Sequence, residues 1–320
     1  MRVARLDGIR ALAILLVLLF HHSFGFGWEG VDLFFVLSGF LITNILRKSR
    51  AHRNYWSRFY IKRAARIMPP LVPLFAAVVL LSAGWSPLGL LGYGLFVGNI
   101  LNLTHLSIPL LQPMWSLAVE EHFYLLWPSA VRRLSDSVLL RVILGILIAE
   151  PILRAVVTPH LHSFEILYES TPLRLDGLAA GALLALALDH AVAKARLKRW
   201  SGPAFLAVGA GYVASIVLIP NFHRESNSIL FNALGYSLVT AMSFLLVGFV
   251  ALSESGTISA LLAWRPVTYF GRISYGVYLY SMFITSIVKH ALHIAFGPTG
   301  SAATRRIFLP DLILLSLIHI

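Results

Sequence analysis

The stretch RALAILLVLLFH, residues 10–21, places a cation and an imidazole at the two ends of one apolar run. At about 100° per residue, eleven steps bring a helical side chain back to within roughly 20° of its starting direction, about 16 Å further along the axis. Arg10 and His21 therefore lie on one stripe of a predicted membrane-spanning helix. Polar groups inside a span cost roughly 2.5–3.5 kcal/mol each, so they mark a site for an ion, a proton or a substrate.

The rest of the chain predicts a membrane protein. Of its 320 residues, 58% are hydrophobic and only 12% are charged, too few charges to cover a soluble protein of this length. Successive apolar runs of about 17–23 residues predict an all-α, polytopic bundle of about ten transmembrane helices. The predicted spans lie near 9–24, 31–47, 68–83, 113–130, 138–157, 171–189, 203–219, 229–251, 270–292 and 307–320. The absence of cysteine excludes disulfides and thiolate catalysis.

The net charge of +12 is spread over short loops between the apolar runs, so it indicates orientation rather than nucleic-acid binding. The main basic loops all fall on the cytoplasmic side only if the glycine-rich run 84–103 does not cross the membrane. We therefore expect this run to be a re-entrant or outer-interface segment.

The segment 52–66 alternates aromatic and basic residues, and two interpretations stay open. It is typical of an interfacial anchor helix whose cations reach anionic lipid headgroups. It also suits a cytoplasmic phosphate-binding lip, because the guanidiniums of Arg63 and Arg66 could each hold a phosphate with two hydrogen bonds. Both interpretations can hold at once.

His21 is the candidate general base. A neutral imidazole titrates near pH 6.5 and can accept a proton from a hydroxyl while an acyl group is transferred. The alternative is a structural histidine that is hydrogen-bonded within the bundle. His22 points about 100° away on the same predicted helix, so we do not expect it to share the role.

Two adjacent carboxylates, Glu120 and Glu121, lie inside the apolar run 115–128. Ser116, Glu120 and Tyr124 follow one another at a spacing of four residues and share one helix face. We therefore assign Glu120 to the polar stripe of this helix. Glu121 projects about 100° away and is expected to pair with a cation on another helix.

Alternatives to a role in substrate binding or catalysis stay open for two acidic residues. Glu120 could form a buried salt bridge to Arg154 or Arg174. Asp32 could cap the helix that it opens, and the small residues 38–39 could serve only close helix packing.

We expect no metal site. Four histidines fall in predicted outer loops and lack the HxxxH or HExxH spacing of metal ligands. They are His105, His160, His162 and His223.

Four motifs in this order resemble the membrane acyltransferase 3 family of bacteria. They are RLDGIRA (5–11) followed by His21, VDLFFVLSGF (31–40), the basic run from Lys62 to Pro69, and WSLAVEEHFYLLWP (115–128). The resemblance implies ten membrane helices, an acyl-CoA donor on the cytoplasmic side and O-acylation of cell-surface glycans or smaller molecules. It also implies essential roles for Arg10 and His21, with the family glutamate at Glu120.

The chain departs from the family pattern near its end. Where the family often reads S-Y-x-x-Y-L-x-H, residues 274–281 read SYGVYLYS, so Ser281 stands at the position of that later histidine. No soluble esterase-like domain follows in these residues, so we expect residues 1–320 to be one integral-membrane acyltransferase domain that acts alone or with a partner. Its expected location is the bacterial cytoplasmic, or inner, membrane.

The geometry and the resemblance favour one mechanism. Arg10, Arg63 and Arg66 would hold the phosphates of acyl-CoA, most simply acetyl-CoA, at the cytoplasmic mouth, and the pantetheine arm would follow the stripe to His21. His21 would deprotonate a glycan hydroxyl, and Glu120 would orient the imidazole. The residues expected to contact the substrates are Asp32, Trp115, Ser116, Tyr124 and Arg174.

Two rival functions fit the same composition. A secondary transporter or a flippase of a lipid-linked sugar would also have about ten spans and polar residues inside them. A non-catalytic membrane scaffold is the second rival, but it gives no reason for buried polar stripes. Turnover of acyl-CoA to free CoA separates an acyltransferase from both.

Overall fold

The computed structural model describes residues 4–21, 26–81, 85–253 and 255–303, and every regular element in them is helical. The α-helices are α1 (Ala4–His21), α2 (Glu29–Ser49), α3 (Tyr55–Leu81), α4 (Pro87–Gly94), α5 (Gly98–Leu101), α6 (Met114–Arg133), α7 (Asp136–Val157), α8 (Phe164–Glu169), α9 (Leu175–Ala187), α10 (Ala191–Leu218), α11 (Tyr236–Leu252), α12 (Thr257–Ala263) and α13 (Arg265–Ala303). Short 3₁₀ turns lie at Pro109–Leu111, Thr158–His160, Thr171–Leu173 and Arg224–Ser226, and a π-helical turn, Phe231–Gly235, leads into α11.

Each of the first nine predicted spans overlaps one of the longer helices, and the tenth, 307–320, lies outside the described residues. Four described helices are long and apolar enough to cross a membrane: Glu29–Ser49, Tyr55–Leu80, Ala191–Leu218 and Phe231–Leu252. The chain is therefore an all-helical, multi-pass membrane protein, with four spans supported by length and composition rather than ten. Charge explains part of the difference, because the 18 residues of α1 include Arg5, Asp7 and Arg10.

The basic and aromatic segment 52–66 is continuous with the third predicted span. Residues 55–66 of the segment and residues 68–81 of the span lie in α3, which begins at Tyr55 and contains Pro69, Pro70 and Pro73. Near its start the exposed rings of Trp56 and Tyr60 stack with their centroids 6.4 Å apart.

The glycine-rich run 84–103 forms two short helices, α4 and α5, of 8 and 4 residues. Eight helical residues rise only about 12 Å, whereas the hydrocarbon core of a bilayer is about 30 Å thick. Neither helix can cross alone, as the sequence analysis expects. Asn99 on α5 donates a hydrogen bond of 3.0 Å to Thr171 Oγ1, which ties this run to the segment before α9.

Helix α2 is held in backbone contact with helices on two sides. A carbon atom added at Gly39 would lie 2.0 Å from the carbonyl oxygen of Leu178 on α9. One added at Gly30 would lie 2.4 Å from the carbonyl oxygen of Ala13 on α1. The expectation that the small pair 38–39 permits close packing is confirmed at Gly39, and α2 has little freedom to rotate or slide.

Candidate active site

A cavity of about 270 Å³ lies between α1, α2, α3, α6 and α13. Its longest wall is a stripe of α2 from Val31 to Ile45, which are fourteen residues and about 21 Å apart along the axis. Most of the wall is apolar. The predicted site residues that line the cavity are Arg10, Arg63, Arg66, Ser116, Glu120 and Tyr124.

Glu120 has three polar partners, on three different helices. Ser38 Oγ donates a hydrogen bond of 2.8 Å to Glu120 Oε1, and the Tyr124 hydroxyl donates one of 2.9 Å to Oε2. Arg63 Nη2 lies 3.8 Å from the same Oε2. Two donated hydroxyl hydrogens and a guanidinium suit an ionised carboxylate, which can only accept hydrogen bonds.

Arg63 lies between two acidic residues and an aromatic ring. Its Nη2 donates to Glu121 Oε1 at 3.3 Å, and its Cζ lies 3.8 Å from the centroid of the Tyr124 ring. The expectation that Glu121 pairs with a cation on another helix is therefore confirmed. The predicted alternative for Glu120, a salt bridge to Arg154 or Arg174, is wrong, because these arginines pair with Asp176 and Asp32.

Arg10 and Arg66 bring further positive charge to the cavity. Arg10 Nη1 donates to Asp7 Oδ1 at 2.7 Å, and a guanidinium has five N–H donors, so this bond uses one of them. Arg66 is exposed and forms no salt bridge within the described part of the chain. Arg66 is therefore the lining cation with the greatest capacity for an anionic ligand.

Arg10 and Arg63 lie level with the middle of α2 rather than with its C-terminal end. Gly30 packs against Ala13 and Val17 of the antiparallel α1, so Phe35, five residues further along α2, is about level with Arg10. Ser38 is in contact with Glu120, whose partner is Arg63. The cations are expected from the sequence at the cytoplasmic mouth, but α2 continues for about 16 Å from Ser38 to Ser49, so they lie deeper than expected.

His21 is the last residue of α1 and is not part of the cavity wall. Its Nδ1 lies 2.8 Å from the Val17 carbonyl oxygen. Because a carbonyl can only accept, Nδ1 carries the hydrogen and Nε2 is the basic nitrogen of the neutral ring. The expected contact between Glu120 and His21 is not among the contacts that the structure describes, and His22 lies outside the described residues.

Asp32 and Arg174, both expected to bind substrate, form a buried ion pair instead. Arg174 Nη2 donates to Asp32 Oδ1 at 2.9 Å, and both side chains are shielded from solvent. The Arg174 Cζ also lies 4.8 Å and 4.7 Å from the ring centroids of Tyr168 and Tyr236. Neither residue lines the cavity. Each buried charge compensates the other, because an unpaired charge at this depth would be costly.

Trp115, Ser116 and Tyr124 complete the set of expected substrate contacts. Ser116 and Tyr124 line the cavity. Trp115 is buried behind it, with its ring centroid 6.2 Å from that of Phe35, which is a lining residue.

The buried ion pair leads to a prediction about stability. Arg174→Met should lower the free energy of unfolding by about 3–5 kcal/mol, because it leaves the Asp32 carboxylate buried without its partner. Thermal unfolding of the purified protein measures this effect. Glu225→Gln is the control, since Glu225 pairs with Arg224 but its side chain is 52% exposed, and it should cost about 1 kcal/mol or less. An unfolding temperature of Arg174→Met equal to that of the wild type would contradict the prediction.

Ser38 and Tyr278 are among the residues of the cavity wall that were not predicted from the sequence. The sequence predicts only a packing notch at Ser38, although a hydroxyl inside an apolar span is itself a signal. The Tyr278 hydroxyl donates to the Pro113 carbonyl oxygen at 2.7 Å and lies 2.7 Å from Ser116 Oγ. Tyr278 belongs to the run 274–281, in which Ser281 takes the place of the family's histidine. Ser281 is buried and donates to the Tyr278 carbonyl oxygen at 2.8 Å.

In the part of the chain that the structure describes, no group of three or more histidine, cysteine, aspartate or glutamate side chains could hold a metal ion.

Comparison with known proteins identifies the family. The model of the acyltransferase 3 family, described as "Acyltransferase domain", matches residues 3–318. The chain belongs to this family. Its curated relatives include proteins named as O-acetyltransferases.

Two curated relatives illustrate the match. The peptidoglycan O-acetyltransferase OatA of Listeria monocytogenes is 27% identical over 91% of this chain and 51% of its own length. The O-acetyltransferase OatA of Staphylococcus aureus is 24% identical over 86% of this chain and 49% of its own length. The chain therefore spans about half the length of these relatives. No solved structure matches it.

Proposed function

We propose that the chain transfers an acetyl group from acetyl-CoA on the cytoplasmic side to a hydroxyl of a cell-surface or exported glycan. The observation that carries the proposal is the cavity in which Arg10, Arg63, Arg66 and Glu120 meet, because these residues come from three of the motifs that define the resemblance. The names of the relatives support a glycan acceptor, and a bacterial cytoplasmic membrane gives access to acyl-CoA on one side and to the cell surface on the other.

The cavity suits the two chemically different parts of an acyl-CoA. Its apolar wall on α2 suits a long flexible arm, and its guanidiniums suit phosphates. Arg66 and Arg10 are the principal phosphate ligands in this proposal, because Arg63 is already engaged by Glu120 and Glu121.

The reaction joins the acceptor oxygen to the acetyl carbonyl carbon and breaks the carbon–sulfur bond of the thioester. His21 Nε2 would accept the hydroxyl proton, and that proton would return to the departing thiolate to give free CoA. The cavity ends at Val31, and His21 lies about seven residues, or 10 Å, beyond that level on α1. Transfer at His21 therefore requires the donor arm to extend past Val31.

The donor site is tested by Arg66→Lys and Arg10→Lys. Each should raise the apparent KM for acetyl-CoA about tenfold and change kcat less, because lysine keeps the charge but loses the planar pair of donors. Arg58→Lys is the control, since Arg58 is an exposed cation on α3 outside the cavity wall. An unchanged KM in both variants would remove these arginines from the donor site.

The proposed reaction is tested by reconstituting the purified chain in liposomes with acetyl-CoA and soluble peptidoglycan fragments. Free CoA should appear in step with O-acetylated glycan, and should depend on the glycan. Acetylation that proceeds from another acetyl donor but not from acetyl-CoA would refute the donor. Solute movement without CoA release would instead favour the transporter or flippase that the sequence analysis considered.

A further inference from the structure

Ser38 is held in place by the packing of its own helix. Its neighbour Gly39 lies against the backbone of α9, where an added carbon atom would come within 2.0 Å of the Leu178 carbonyl oxygen. This contact fixes the rotation of α2, and Ser38 then points into the cavity toward α6. A side chain on so constrained a helix can fix the position of its partner.

The partner is Glu120, whose two oxygens are held from three helices. Tyr124 is on the same helix as Glu120 and binds Oε2, and Arg63 on α3 approaches the same atom. Ser38 on α2 supplies the hydrogen bond to Oε1, at 2.8 Å. Without Ser38 both remaining contacts act on one oxygen, and the carboxylate can rotate about its terminal bond.

We infer that Ser38 is a positioning residue for acyl transfer: its hydroxyl sets the orientation of the Glu120 carboxylate in the cavity. The inference rests on the proposed function and adds to it that Glu120, which lines the proposed donor cavity, takes part in transfer. Ser38 itself carries no charge and need not touch the reacting atoms.

A purely structural role for Ser38 makes a different prediction, and the same pair of helices offers the matched control. Trp127 Nε1 on α6 donates a buried hydrogen bond of 2.8 Å to Thr43 Oγ1 on α2. Neither Thr43 nor Trp127 lines the cavity. Thr43→Val therefore removes a contact of equal length between α2 and α6 without affecting Glu120.

The test compares steady-state kinetics of the full chain with acetyl-CoA and soluble peptidoglycan fragments. Ser38→Ala should lower kcat about ten- to a hundredfold, with the KM for acetyl-CoA changed by less than about twofold, because only the orientation of Glu120 is lost. Ser38→Thr keeps the hydroxyl and should recover most of kcat. Thr43→Val should keep the wild-type kcat.

A double variant shows whether Ser38 acts through Glu120. In a Glu120→Gln background, Ser38→Ala should cause no further loss, because the carboxylate that it positions is absent. Equal losses in Ser38→Ala and Thr43→Val, or an additive loss in the double variant, would overturn the inference. If Ser38→Ala keeps the wild-type kcat while Glu120→Gln is inactive, the positioning role of Ser38 is overturned and the role of Glu120 stands. If Glu120→Gln keeps the wild-type kcat, both roles are overturned.

Discussion

Replacing His21 with alanine should lower kcat for acyl transfer by about 10²–10⁴, the usual loss for a general base, and should leave the KM for acetyl-CoA nearly unchanged. The hydrogen bond between Nδ1 and the Val17 carbonyl oxygen, 2.8 Å, leaves Nε2 as the basic nitrogen. His21 also lies eleven residues from Arg10 on α1, so removing it does not disturb the guanidiniums proposed to bind the donor.

The control for this variant is His22→Ala, which removes a second imidazole at the next position. By the helical expectation from the sequence, its side chain points about 100° away, so we expect less than a tenfold change in kcat. Wild-type turnover of purified His21→Ala would remove His21 from the mechanism. Similar losses in both variants would indicate that the end of this segment is needed for folding and not for proton transfer.

The sequence located the helices well because apolar runs and their lengths are local properties. The first nine predicted spans all overlap a helix, and the run 84–103 forms only short helices. The partners of the charged residues were harder to predict. Asp32 and Arg174 are 142 positions apart, and nothing local to either residue distinguishes an ion pair from a substrate site.

The sequence also did not predict how far neighbouring helices are displaced along one another. Counting basic loops predicts which side a helix end faces, but it does not predict how far one helix is displaced along another. That displacement is set where Gly30 meets Ala13, and it brings Arg10 level with Phe35 near the middle of α2. Spacing on one helix did predict local geometry correctly, as the hydrogen bond between Tyr124 and Glu120 shows.

Glu120→Gln should lower kcat by about 10²–10³, because the amide keeps the shape of the carboxylate but not its charge or its two acceptor oxygens. Ser38 and Tyr124 both donate to Glu120, and an amide offers only one oxygen to them. Arg63 would also lose one of its two carboxylate partners inside the cavity wall.

Glu121→Gln is the matched control, since it removes the same charge from the next residue. Glu121 bonds to Arg63 at 3.3 Å but does not line the cavity, so its loss should lower kcat less than about tenfold. The two variants are compared by CoA release and by glycan O-acetylation in the same reconstituted preparation. Equal kcat values would show that only the total charge near Arg63 matters. A large loss confined to Glu120→Gln is expected instead, because the carboxylate held by Ser38 and Tyr124 is the one that faces the proposed donor.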